Sequence, residues 1–349
     1  MSGQARVTAP GADRRGLTVA IQGPGMAAGC CADLLARAGF DTVRTMRTRA
    51  AGPAVLLSDA ALALLRDVLE RPQLFADRPR ITHRVVAWGP GEPARLPHGG
   101  VVLSEGELDA ALGGPPSEGN ETDAPPFMSV HAAPPFPSGR MLAFGGRRAV
   151  AARVGLVHAD DRSACWIEAV EAGWLFLIPT GAASGWLLAV GGDIEASLRQ
   201  SRHIAPRVEV AGEPSGAFET SPRMLAALQG PDWLACGSAA IAFDPICGDG
   251  TAQAVREAIL ASAVVGAIAG GGDPDALRLH YESMMVAAMR RHLRLCAQFY
   301  ATGGQGDWWR AQLADLAAGF DACTARLARM PEPRFELHGL RLVAREAAA

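Results

Sequence analysis

Two glycine-rich turns carry the groups in this chain that could do chemistry. The first, Gly23-Pro-Gly25-Met-Ala-Ala-Gly29, follows the short apolar segment Leu17–Ile21 and opens a helix over about 26–38. The second, Asp244-Pro245-Ile-Cys-Gly248-Asp249-Gly250-Thr251, follows the apolar segment Leu234–Ala242 and runs into the apolar stretch Ala252–Ala269. Glycine lets backbone approach a ligand, proline fixes φ, and the first turn of a helix leaves its N–H groups without partners. Such a start attracts an anionic or electron-rich group. Together the two turns point to a flavin; neither does so alone.

The elements that must position these turns can be read around them. Strand, glycine turn, helix and a second strand over Thr42–Met46 follow in order, with Gly39 ending the helix, which is the context a dinucleotide fingerprint requires. The spacing Gly23-x-Gly25-x-x-x-Gly29 is one residue longer than G-x-G-x-x-G, and Ala28 takes the third glycine's usual place. An acidic residue is expected near the end of the second strand to hold ribose hydroxyls. That place falls near Met46, among Arg44, Arg47 and Arg49, which suit a phosphate instead.

A helix is expected over about 60–69, short strands from 81 to about 112, and a loop or poorly ordered insert over 113–139, which is rich in Pro, Gly, Ser and acids. Stretches 141–157 and 166–190 read as β-rich. The apolar run Gly173–Gly192 is long enough for a membrane span, but Pro179, Gly181 and Gly185 divide it into two buried strands. Asp273-Pro274 starts a helix reaching about Tyr300, Gly303-Gly304 breaks it, and a last helix covers about 308–328.

At 349 residues, 49% apolar and 20% charged, the chain has the composition of a soluble globular protein with one or two subdomains. A net charge of −3 gives no reason to expect nucleic acid or a membrane as partner. The first fifteen residues lack the apolar core of a secretory signal and read as a disordered lead-in. Seven cysteines without zinc spacing point to a reduced, cytoplasmic protein and to no metal site. All 33 basic residues are arginine, so no mechanism built on a lysine amine is available.

The order of these motifs, from the first glycine turn through Gly173-Trp174-Leu-Phe176-Leu-Ile-Pro179, Gly237-Ser238-Ala-Ala, Asp244-Pro245 and Gly248-Asp249-Gly250 to Phe299-Tyr300 and Trp308-Trp309, resembles the flavin-dependent monooxygenases of the p-hydroxybenzoate hydroxylase fold. The branch it is most similar to contains tryptophan halogenases and protein-modifying hydroxylases. The resemblance implies an α/β fold: a Rossmann-like βαβ FAD-binding core, an inserted β-rich substrate domain and a C-terminal helical region. It places the FAD-binding domain at 16–80, 140–157 and 225–270, the substrate domain at 81–139 and 158–224, and the helical region at 271–349.

Carried onto this sequence, Gly23, Gly25 and Gly29 would cradle the FAD pyrophosphate, with Arg47 nearby. Gly237 and Ser238 stand where the family has Gly-Asp beside the ribityl chain. Asp244 and Pro245 would lie beside the flavin ring, and Gly248, Asp249, Gly250 and Thr251 would turn N–H groups toward its edge. Arg147, after Phe144-Gly-Gly, would replace a Gly-Arg element. Trp174, Phe176 and Pro179 are the substrate-pocket candidates. Glu168 and the histidines at 83, 98, 158 and 203 are possible proton handlers, and no catalytic residue is assigned. Without the halogenase lysine, hydroxylation or a related oxidation of an aromatic or peptide substrate is expected. NAD(P)H or a flavin reductase would supply electrons. The alternatives are a flavin-dependent reductase or dehydrogenase and a non-catalytic maturation protein with a degenerate flavin site.

Overall fold

The computed structural model describes residues 14–45, 54–112 and 125–345. Residues 1–13 of the lead-in expected over 1–15, residues 46–53 with Arg47 among them, 113–124 and 346–349 lie outside the described residues, whereas Arg14 is held by Gly266 O at 3.0 Å. Strand Thr18–Gln22 alternates half-buried and buried positions, and helix α1 (Met26–Arg37) buries Met26 to Cys31, Leu34 and Leu35. The chain returns as strand Asp41–Thr45, parallel to the first. Met128–His131 pairs parallel with the other side of Thr18–Gln22, Trp233–Ala235 pairs parallel with it in turn, and Gln229–Gly230 closes the edge. The order reverses between Thr18–Gln22 and Met128–His131. In an open parallel sheet that reversal leaves a crevice at the carboxyl ends of the strands, where ligands bind.

The second sheet has nine strands. Along it run 208–210, 148–156, 184–190, 173–179, 164–170, 80–87, 94–103 and 55–58, with 218–219 also paired to 148–156. The run Gly173–Gly192 is an antiparallel pair, Gly173–Pro179 with Ser184–Val190, divided as its Pro and Gly residues imply. Helix α2 (Asp59–Leu69) is capped by Ser58, whose hydroxyl accepts from Ala61 N at 3.2 Å. Helix α3 (Glu105–Leu112) packs on α1, and α4 (Ile194–Gln200) on the nine-stranded sheet. A small sheet of 141–143, 223–225 and 241–242 stands beside them.

Helix α5 (Gly250–Ala269) is long and apolar enough to cross a bilayer, yet most of it is buried against α1, α2 and α6 (Pro274–Gly303) as a core helix. Asp273 caps α6 by accepting from Asp275 N and Ala276 N. The Gly303-Gly304 break before α7 (Asp307–Leu327) has a packing cause: a Cβ on Gly303 would lie 2.3 Å from the Trp309 ring. Trp309 is fully buried, donates its indole N–H to Val170 O at 3.1 Å, and meets Trp88, Tyr300 and Trp308. This aromatic cluster joins α6 and α7 to the nine-stranded sheet.

Five stretches depart from the sequence expectation. Within 113–139, read as loop, Met128–His131 is a central strand of the parallel sheet, too short and too enclosed for alternation to reveal it. Strands 55–58 and 148–156, grouped by sequence with the cofactor core, pair in the nine-stranded sheet. Residues 105–112 are helical, started by a reciprocal pair in which Ser104 Oγ accepts from Glu107 N and Glu107 Oε2 accepts from Ser104 N. The C-terminal region adds a hairpin, Phe335–His338 with Arg341–Ala344, to its helices.

Candidate functional site

Four parallel strands end on one edge, and their exits are laced together by backbone bonds. Gly23 N donates to Thr45 O at 2.9 Å, Ala132 N to Gln22 O at 2.8 Å, and Cys236 N to His131 O at 2.9 Å. Gly23 has φ +105°, and a Cβ there would fall 2.4 Å from Ala133 Cβ, so only glycine fits the turn. Gly25 is the N-cap of α1 with φ 96°. No side chain caps α1 and no acid lies in its first turn, which leaves its N–H groups open toward the crevice. Gly29 lies one turn inside α1, where a Cβ would meet Leu112 Cβ at 2.6 Å. Its missing side chain serves the packing of α1 on α3, so the open backbone is that of Gly23 and Gly25.

The strand that leads toward the second turn ends on the same edge. Gly237 has φ +79°, and its Cβ position lies 3.1 Å from Ala27 Cβ of α1, so the exit of strand Trp233–Ala235 touches the first glycine helix. Ser238 beside it is exposed. Further on, Pro245–Cys247 forms a short 3-10 turn, and Gly248 (φ +63°) leads into α5. Asp249 is the N-cap of α5, but its carboxylate pairs with Arg256 at 2.8 Å and does not cap the helix. A Cβ on Gly250 would meet nothing within 4 Å. The start of α5, with Thr251 in its first turn, is therefore a second uncapped helix end with room before it.

Asp244, expected beside the ring, is a buried post beneath this turn. Its carboxylate accepts from Arg147 Nε at 3.1 Å, Tyr300 OH at 2.9 Å and Ile246 N at 3.0 Å. Desolvation raises its pKa, opposed chiefly by the Arg147 charge. Arg147 is itself fully buried; it also donates to Gln312 Oε1 at 2.8 Å and stands 5.0 Å from the Tyr300 ring centroid. Trp174 completes the group by donating its indole N–H to Tyr300 OH at 3.1 Å. Sequence comparison singled out Arg147 and Asp244 separately; the fold makes them an ion pair.

Of the pocket candidates, Trp174, Phe176 and Pro179 are all buried in strand Gly173–Pro179. Glu168 does not face a pocket. Its carboxylate accepts from Ser201 Oγ at 2.5 Å and from the N–H groups of Arg202, His203 and Ile204, and so ties down the 201–204 turn. His83 and His98 lie on the paired strands 80–87 and 94–103, and His158 is exposed. The residue sequence reasoning missed is Arg84. Its Nη2 is 3.3 Å from His98 Nε2 and 3.4 Å from the Cβ position of Gly248, so the nine-stranded sheet reaches the second turn through a guanidinium.

Glu257 was missed as well, although a carboxylate inside the apolar run 252–269 is itself a signal. It is buried on α5 and accepts from Gly237 N at 2.6 Å. Desolvation pushes its pKa up to about 8, with the bonds from Gly237 and Gln253 opposing.

These residues fit FAD at both ends. The helices α1 and α5, both uncapped at their starts, pack together at Gly237, and Arg44 in strand Asp41–Thr45 is a buried guanidinium near the Asp109 charge with Nε and Nη2 lacking hydrogen-bond partners. Gly23 and Gly25 would approach the pyrophosphate, and Gly248, Gly250 and Thr251 the flavin edge. Ser238 offers a hydroxyl where a charge-assisted contact is expected, a weaker bond.

No protein-family model and no curated protein sequence matches the chain. Solved structures do. The flavin-dependent halogenase CmlS superposes with TM-score 0.69 at 15% identity, over 90% of this chain and 71% of that one. The peptidyl tryptophan dihydroxylase QhpG, essential for tryptophylquinone cofactor biogenesis, gives 0.64 at 20% identity over 86% and 79%. The probable FAD-dependent monooxygenase pqsL from Pseudomonas aeruginosa gives 0.61 at 13% over 88% and 99%. The chain has the fold of the flavin-dependent oxidoreductases.

Proposed function

We propose that the protein binds FAD and hydroxylates, or otherwise oxidises, an electron-rich substrate, an aromatic molecule or the side chain of a peptide. The observation that carries this reading is that Gly237 touches both glycine helices, Ala27 of α1 at its Cβ position and Glu257 of α5 through its N–H, so that α1 and α5, each with an uncapped start, pack at one strand exit. Bound FAD, once reduced, supplies the activation of dioxygen. The chain's own part is to hold the phosphates at α1, to favour negative charge at the start of α5, and to exclude water with the nine-stranded sheet. Arg84, reaching Gly248 from that sheet, is the side chain we place nearest both turn and substrate. Electrons would come from NAD(P)H directly or through a flavin reductase, in the cytoplasm. The absence of lysine disfavours halogenation through an activating amine.

The test is a single-turnover reaction. Protein loaded with FAD and reduced without oxygen is mixed with 18O-labelled dioxygen and a free indole, a phenol or a tryptophan-containing peptide, with bromide present. The expected product of one of these carries 18O. Hydrogen peroxide as the sole product with every substrate, or a brominated ring, would contradict the reading.

A further inference from the structure

Six of the seven cysteines are buried, and Cys247 alone is half-buried. It ends the 3-10 turn that precedes Gly248, and its Sγ lies 3.5 Å from Cys296 Sγ on α6. His292, one helical turn before Cys296 on the same face of α6, brings Nε2 within 3.2 Å of Cys296 Sγ. The same Nε2 accepts from Asp244 N at 2.7 Å, and the imidazole stacks on Phe243 with centroids 4.0 Å apart. The ring is thus held as a neutral acceptor; burial, and then Arg147 and Arg291, push its pKa down to about 3. The fold has assembled two thiols and an imidazole that the sequence keeps about fifty residues apart (roughly the interval from 247 to 296).

A metal ion would need the His292 lone pair that the Asp244 N–H already occupies. Two thiols in contact, one within reach of solvent and one enclosed, instead suit oxidation by a small peroxide followed by resolution. We propose that Cys247 and Cys296 form a reversible disulfide that ties the second glycine turn to α6 and weakens the binding of FAD.

The oxidant is hydrogen peroxide or another hydroperoxide. Cys247 sulfur attacks a peroxide oxygen; the S–O bond forms, the O–O bond breaks, and the departing hydroxide takes the thiol proton to leave as water. Cys296 sulfur then attacks Cys247 sulfur; the S–S bond forms, the S–O bond breaks, and the hydroxide leaves as a second water with the Cys296 proton. Two thiols lose two electrons and the peroxide gains them. Burial holds the Cys296 thiol well above its ordinary pKa, so it is a poor first target and acts as the resolving partner. Closing 3.5 Å to the roughly 2 Å of a disulfide requires movement, and Cys296 is enclosed in a thirty-residue helix. The movement therefore falls on Cys247 and draws the turn toward α6. The disulfide itself stands apart from the proposed function; its effect on the cofactor rests on that reading.

The experiment treats the purified full-length protein with hydrogen peroxide, maps thiols and linked peptides by mass spectrometry, and titrates FAD before oxidation, after it, and after reduction by dithiothreitol. A peptide linking 247 to 296, an FAD dissociation constant raised about tenfold (the loss of roughly one hydrogen bond), and recovery on reduction are expected. Cys296→Ala should form no link at Cys247. A free Cys247 thiol or a higher oxyacid there, with no 247–296 link in the wild type, would overturn the proposal. An affinity unchanged by a formed link would overturn the coupling. Failure of the reduced protein to bind FAD would count against the proposed function and leave the disulfide standing.

Discussion

Arg147→Ala is expected to destabilise the protein by about 3–5 kcal/mol, the usual cost of stripping one partner from a buried ion pair. Both side chains are essentially inaccessible, at 0% for Arg147 and 1% for Asp244. Alanine would leave the Asp244 carboxylate with only Tyr300 OH and Ile246 N as donors. The pH dependence identifies the cause. Burial already raises the Asp244 pKa and Arg147 opposes the rise. Removing the guanidinium raises it further. A carboxyl whose folded pKa lies above its unfolded value is not penalised below the unfolded pKa. It loses stability as pH rises through the folded pKa. The deficit of the variant should therefore be small near pH 3–4 and full at pH 8. Urea denaturation across that range measures it; a deficit under about 1 kcal/mol at pH 8 would mean that the pair does not support the turn.

Glu257→Gln is expected to act in the opposite direction. With a folded pKa of about 8 against 4.5 for the ordinary carboxyl, Glu257 stays protonated in the fold while it ionises in the unfolded chain. Its contribution is whole below pH 4.5 and is lost progressively up to about pH 8, at roughly 1.4 kcal/mol per pH unit. Glutamine keeps an acceptor for Gly237 N and has no proton to lose. The variant should nearly match the wild type at pH 4.5 and exceed it by about 4 kcal/mol at pH 8.5. Thermal melts at both pH values decide the matter. Equal stabilisation at both would show that Glu257 is ionised throughout, and a loss at pH 8.5 would show that its charge is needed.

The glycine turns were legible because their chemistry is local. A strand, a turn of fixed φ and an uncapped helix start lie within about a dozen consecutive residues, and both turns are where the motifs put them. The paired strands of 173–190 were legible for the same reason, since Pro179, Gly181 and Gly185 punctuate an otherwise continuous apolar run. Met128–His131 was hidden: a four-residue strand enclosed on both sides shows no alternation, and prolines flank it. The roles of Asp244 and Arg147 were hidden differently. A residue type and its place in a motif do not say which way a side chain turns, and the partner that turns Asp244 inward lies 97 residues away. Arg84, Glu257 and the Cys247–His292–Cys296 group share that cause, each defined by contacts between separate elements.

We propose that the open starts of α1 and α5 hold a flavin. The most direct test is an equilibrium titration of the purified, reduced-thiol protein with FAD, oxidised and dithionite-reduced, followed by flavin fluorescence and absorbance. Saturable binding of one FAD per chain is predicted, tighter for the reduced anionic form because the start of α5 favours negative charge, and weakened when Gly25 is replaced by valine. No saturable binding of either form at high micromolar FAD would rule out a flavin site at these helix starts.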